Sequence, residues 1–309
     1  MYQSNHTALN ATPAKTKIAD SATPDWKSWA VLLALSLIWG SSYILIKKGL
    51  EVYSSNQLAT MRLSISALAF FPILIYRFRR VDWSRWKSLL AVGLTGTAIP
   101  AFMFAIAQMH ISSSVAGVLN SLTPLFTLLL GALLFGASAP WAKVLGVLVG
   151  LGGAGMLILF GKEAGAQGNP WFGLLVIVGT ICYATSSNVV GTYLRDMSAV
   201  TISAAAFVMV GLPALVFLFS TDFLEVLSHE EGAWLALGYV TILALVGTVL
   251  ASIIFFKLVQ RTTPVFASMI SYLVPAVALS WGAFDGEPIT LIHLLGMGLI
   301  LSGVYLVKS

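Results

Sequence analysis

The chain alternates long apolar runs with short polar gaps. Ten runs, at 29–49, 56–76, 88–109, 114–135, 142–161, 170–191, 200–220, 233–257, 263–283 and 289–307, are each about 20 residues long. That length crosses a bilayer as an α-helix. The runs are too long for strands and lack a two-residue alternation, so helices rather than a barrel are predicted. The pattern also repeats about 150 residues on. Leu90-Ala-Val-Gly-Leu-Thr-Gly, Ser121-Leu-Thr-Pro-Leu and Leu145-Gly-Val-Leu-Val-Gly answer to Leu237-Gly-Tyr-Val-Thr-Ile-Leu, Tyr272-Leu-Val-Pro-Ala and Leu295-Gly-Met-Gly-Leu-Ile. Trp86 and Trp234 stand at matching places near the start of a run. Five spans per half is an odd number, so the second half enters the membrane from the opposite side. The expected fold is an all-α membrane protein of ten transmembrane helices, built as two inverted five-helix repeats at 29–161 and 170–307. Residues 1–28 are polar at first, lack an apolar signal core, and are expected to form a disordered cytoplasmic tail.

Composition sharpens this. Hydrophobic residues make up 58 %, charged residues 9 %, and mean hydropathy is +0.90, against about 25 % charged in a soluble domain. With the amino terminus inside, Lys15, Lys17, Lys27, Arg77, Arg79, Arg80, Arg85, Lys87, Lys143, Arg195, Lys257, Arg261 and Lys308 fall inside, and Lys47, Lys48 and Lys162 outside. This bias predicts both termini in the cytoplasm. The basic balance therefore reflects topology and not a nucleic-acid partner. Tyr76-Arg-Phe-Arg-Arg reads as a topological anchor, with anionic-lipid binding as the sharper alternative. Cys182 is the sole cysteine, so no intramolecular disulfide or cysteine metal cluster forms. No cofactor or metal is expected. Motifs for metalloprotease, nucleotide-binding or serine-hydrolase chemistry are missing, and no carboxylate lies deep in a span, so an enzyme is not predicted.

The candidate chemistry is therefore that of binding. Arg62 is the one charge well inside a span; it either holds a substrate carboxylate or snorkels to the nearer surface. In the first span Trp39, Ser42 and Tyr43 form either a ligand face or a packed interface. In the sixth, Tyr183, Thr185, Ser186, Ser187 and Asn188 form a polar patch that needs partners or a wet cavity. Phe104 and Gln108 share a face of the third span. Pro124 and Pro275 break the fourth and ninth spans at matching places, which would aim Asn120, Ser121, Ser271 and Tyr272 at a midplane site; a plain structural kink is the alternative. Pro100 and Pro213 read as local bends. The glycines of spans five and ten, Gly146 and Gly150 among them, predict tight packing within the chain or a homodimer. His110 and His293 read as interfacial histidines.

Taken in order, Trp39-Gly40, Arg62, Pro124, Pro275, and Gly286-Glu287 before a Leu295-Gly-x-Gly-x-Ile-x-x-Ser-Gly303 span resemble the drug/metabolite transporter superfamily in its EamA-type ten-helix form, over about residues 29–307. The family's Gly-Glu before the fifth span is here Gly136-Ala137. Within it the chain is similar to the bacterial YddG-type exporters of aromatic amino acids. The resemblance implies a cavity framed by spans 1, 3, 4, 6, 8 and 9, and efflux to the periplasm. The expected protein is an alternating-access carrier of the bacterial inner membrane. Its partners would be the lipid bilayer and a small amphipathic substrate, an aromatic amino acid first. The alternative is a broad exporter of drugs such as methyl viologen.

Overall fold

The computed structural model describes residues 25–135, 141–160 and 168–308. Predicted features at 1–24 (Lys15 and Lys17 included), Gly136, Ala137 and Lys162 lie outside the described residues. The described chain is helical: α1 (Trp26–Leu50), α2 (Ser55–Arg80), α3 (Trp83–Gln108), α4 (Ser113–Phe135), α5 (Trp141–Leu159), α6 (Pro170–Tyr193), α7 (Ala199–Leu218), α8 (Ala233–Arg261), α9 (Pro264–Phe284) and α10 (Leu291–Lys308). Eight of these are long and apolar enough to cross a membrane; the apolar stretches of α5 and α10, Leu148–Leu159 and Leu291–Gly303, are shorter. A short helix, Phe223–His229, links α7 to α8.

Polar caps set where the helices begin. Asp25 accepts from the Ser28 amide at 2.9 Å, so α1 starts three residues before the predicted 29 and takes up the end of the expected tail. Ser54 and Gln57 form a capping box for α2, and Ser112, Ser198 and Thr263 cap α4, α7 and α9.

Helix α1 packs on α9, α4 on α6, α2 on α7 and α5 on α10. Small residues allow the close contacts. A Cβ at Gly93 would strike the Ala206 carbonyl of α7, and one at Gly303 would strike backbone at Gly146 and Gly150. The glycine stripe of α5 and α10 is thus used within the chain.

Four helices are broken near their middles. In α4 a 3₁₀ turn at Asn120–Leu122 precedes Pro124. Proline lacks the amide that would bond four residues back. The Thr123 hydroxyl takes its place, donating to the Asn120 carbonyl at 2.7 Å. Helix α9 is interrupted at Met269, ahead of Pro275. Helices α3 and α8 carry π-turns at Leu94–Ala98 and Leu245–Leu250. The two turns hold the matching pairs Gly96-Thr97 and Gly247-Thr248, and only the first is followed by a proline, Pro100. The bend expected at Pro100 therefore belongs to a feature that α8 makes without proline.

Candidate functional site

The four broken helices, with α1, α2, α6 and α7, surround one cavity. Nine of the predicted residues line it: Trp39, Ser42, Tyr43, Arg62, Phe104, Asn120, Tyr183, Ser187 and Ser271. Its volume is about 100 Å³.

Arg62 is 8 % exposed and lines the cavity. Its Nε donates to Thr248 Oγ1 at 2.8 Å, and Thr248 donates to the Leu243 carbonyl at 3.0 Å, five residues back, as the π-turn allows. The side chain is held inward by α8, against the cavity. Among the described residues Arg62 forms no ion pair with a carboxylate. The same π-turn holds Trp39, whose indole N–H donates to the Gly247 carbonyl at 2.8 Å. Trp39 meets Phe255 edge-on at 5.1 Å, and Phe104 lies 5.9 Å from Tyr43 and 5.8 Å from Tyr183. The cavity is thus aromatic, with one cation and a scatter of hydroxyls.

Three predicted residues are absent from this lining. Asn188 is buried, but its amide donates to the Thr127 and Ala184 carbonyls at 2.9 and 3.0 Å, tying α6 to α4. Tyr272 packs half-buried against the core. Both amide atoms of Gln108 are buried without a partner among the described residues. Ser121 donates to the Val118 carbonyl, and Thr185 to the Ile181 carbonyl. His110 stacks on Phe172 at 3.7 Å, whereas His293 is fully buried, its Nδ1 accepting from the Thr290 amide at 3.2 Å. Ser186 of the predicted polar patch also lines the cavity; sequence reasoning missed Thr248, Phe207, Ser252, Phe255 and Ser268, which line it too. The repeated Gly-Thr pair was the readable signal for Thr248.

A second polar cluster closes the end of the bundle near the carboxyl terminus of α1. Glu287 accepts from the Ser113 and Ser114 amides at 3.1 Å each, and from their hydroxyls at 2.8 and 2.6 Å, at the start of α4. Lys47 bridges Glu287 at 2.9 Å and Asp285 at 2.6 Å; Lys48 bridges Asp285 at 2.9 Å. Burial alone would raise the Glu287 pKa, but hydrogen bonds from Ser114, Lys47 and Ser113 outweigh it and hold the carboxyl below its ordinary value. Asp285 is likewise held low: the two lysines outweigh its burial. The cluster joins α1, α4 and the α9–α10 connection.

The described residues thus form a bundle of membrane-length helices around a small cavity whose cation pairs with no described carboxylate. The chain belongs to the EamA-like transporter family, whose model matches twice, at residues 26–159 and 171–309. The relatives include the uncharacterized inner membrane transporter YedA of Escherichia coli strain K12, 29 % identical over 285 residues and covering 90 % of each chain. A probable amino-acid metabolite efflux pump of Salmonella typhimurium is 26 % identical over 295 residues, covering 91 % of this chain and 94 % of its own. A crystal structure 18 % identical covers 91 % of this chain and 96 % of its own with a TM-score of 0.60, which speaks for the fold alone.

Proposed function

We propose that the protein is a ten-helix, alternating-access carrier of the bacterial inner membrane, with both termini cytoplasmic, that exports aromatic amino acids or similar amphipathic carboxylates. The observation that carries this reading is Arg62, buried in an aromatic cavity and paired with no described carboxylate. A buried cation without a counter-ion is costly, and a substrate carboxylate supplies the missing charge. The twofold family match and the pairing of α1 with α9 and α4 with α6, with α2 on α7 and α5 on α10, support two inverted five-helix repeats. The inner-membrane and amino-acid-metabolite names of the relatives support the location and the substrate class. A cavity whose charge is a cation repels a dication such as methyl viologen, which disfavours the broad drug exporter.

The test is counterflow in proteoliposomes of the pure protein, without an ion gradient, using labelled phenylalanine, tryptophan and threonine. The aromatic pair should exchange and threonine should not, and Asn120→Ala should lose the flux at equal expression. Flux of none of the three would remove the aromatic reading and return weight to drug export.

A further inference from the structure

Resting on the carrier reading, the charge and hydrogen-bond inventory of the cavity narrows its substrate. Arg62 supplies one positive charge, and none of the described lining residues is Asp, Glu or His. A bound monocarboxylate brings the buried site to neutrality. A zwitterion leaves it with a net positive charge and an ammonium with no counter-ion, which is expensive in an apolar surround.

The hydroxyls add a second constraint. Ser42, Ser187, Ser252 and Ser268 direct their protons at carbonyls of their own helices, at 3.1, 2.9, 3.1 and 2.8 Å. Their oxygen lone pairs remain as acceptors beside the cavity. A ligand complementary to them carries a neutral donor, a hydroxyl or an amide N–H, next to its carboxylate. The aromatic walls take the remaining, apolar body.

We propose that the preferred substrates are aromatic or apolar monocarboxylates whose α-position carries a hydroxyl or an acylated nitrogen instead of a free ammonium: 2-hydroxy acids and N-acyl amino acids. Thr248 is the positioning residue of the site, because it fixes the Arg62 fork from the π-turn of α8. The repeat-matched Thr97 in α3 has no such partner among the described residues, so the anchor is one-sided and substrate enters with its carboxylate toward α2 and α8.

The experiment compares counterflow of labelled phenyllactate, N-acetylphenylalanine and phenylalanine in the same proteoliposomes, with protein-free vesicles as background. The two monoanions should half-saturate at concentrations at least about tenfold below phenylalanine, the modest end of what an unpaired buried charge costs. Arg62→Gln should erase or invert that ratio, while Arg62→Lys, which keeps the charge and guards against misfolding, should retain it. Thr248→Val should raise KM for the monoanions. Phenylalanine binding as well as or better than both monoanions would overturn the inference and leave the carrier reading intact. Flux of none of the three would take down the aromatic-carboxylate reading and the inference with it.

Discussion

The Arg62–Thr248 hydrogen bond joins a buried cation to a neutral acceptor, so its loss should be read in substrate binding and not in folding. Thr248→Val removes the acceptor while keeping the shape. We expect KM for carboxylate substrates to rise about 10- to 150-fold, the worth of roughly 1.5–3 kcal/mol for a hydrogen bond to a charged group. Maximal flux and thermal stability should change little, and Thr248→Ser should restore KM. An unchanged KM would detach Thr248 from the site. A second residue-scale prediction concerns Gly282. A Cβ there would meet the Ser114 hydroxyl and the Glu287 carboxylate. Gly282→Ala should destabilise the protein by about 1–3 kcal/mol, the cost of overpacking, seen as a lower Tm in detergent. What was legible in the sequence at this scale were residues whose type is anomalous in lipid. Arg62, Asn120 and Tyr183 line the cavity because a charge or amide in a span needs somewhere polar to go. Asn188 is as anomalous, yet the Thr127 carbonyl satisfies it across a helix contact. That contact depends on how α4 and α6 dock, which one helix's sequence does not state.

Helix breaks decide how the cavity forms, and they were partly legible. Pro124 marked the interruption of α4, where the Thr123 hydroxyl takes the place of the missing amide, whereas Pro275 lies inside the second segment of α9, past the break at Met269. The π-turns of α3 and α8 carry no such mark, because one extra residue per turn is tolerated wherever freed groups find partners. In α8 those partners are Trp39 of another helix on the Gly247 carbonyl and the Thr248 hydroxyl on the Leu243 carbonyl. Element packing makes a paired prediction. Gly93→Ala places a methyl on the Ala206 carbonyl and should cost about 1–3 kcal/mol. Gly152→Ala meets nothing within 4 Å and should be neutral or stabilising by up to about 1 kcal/mol through helix propensity. Thermal unfolding of the two variants in one detergent separates a contact glycine from an idle one. Equal Tm shifts would contradict the α3–α7 packing.

For the whole molecule, the Glu287 cluster ties three elements at one end of the bundle. In the proposed orientation this is the periplasmic end. Its carboxylates set a pH window. Glu287 and Asp285 have folded pKa values below their ordinary 4.5 and 3.8. Groups depressed on folding add stability above the unfolded pKa, and that stability is lost as pH falls through the folded value. Tm should therefore be insensitive to these groups from about pH 8 to pH 5 and fall below about pH 4. Glu287→Gln should flatten part of that acid limb. If the cluster also latches the periplasmic mouth, breaking it should expose the cavity from that side. Ile46 lines the cavity from α1 and is 3 % exposed. In a Cys182→Ser background, Ile46→Cys should react slowly with a membrane-impermeant thiol reagent added outside, and about tenfold faster once Glu287→Gln is added, a shift of about 1.4 kcal/mol in the mouth's opening equilibrium. Equal rates would leave the cluster a structural clamp with no part in gating, since the carboxylate would then hold α1 to α4 equally in the closed and open states.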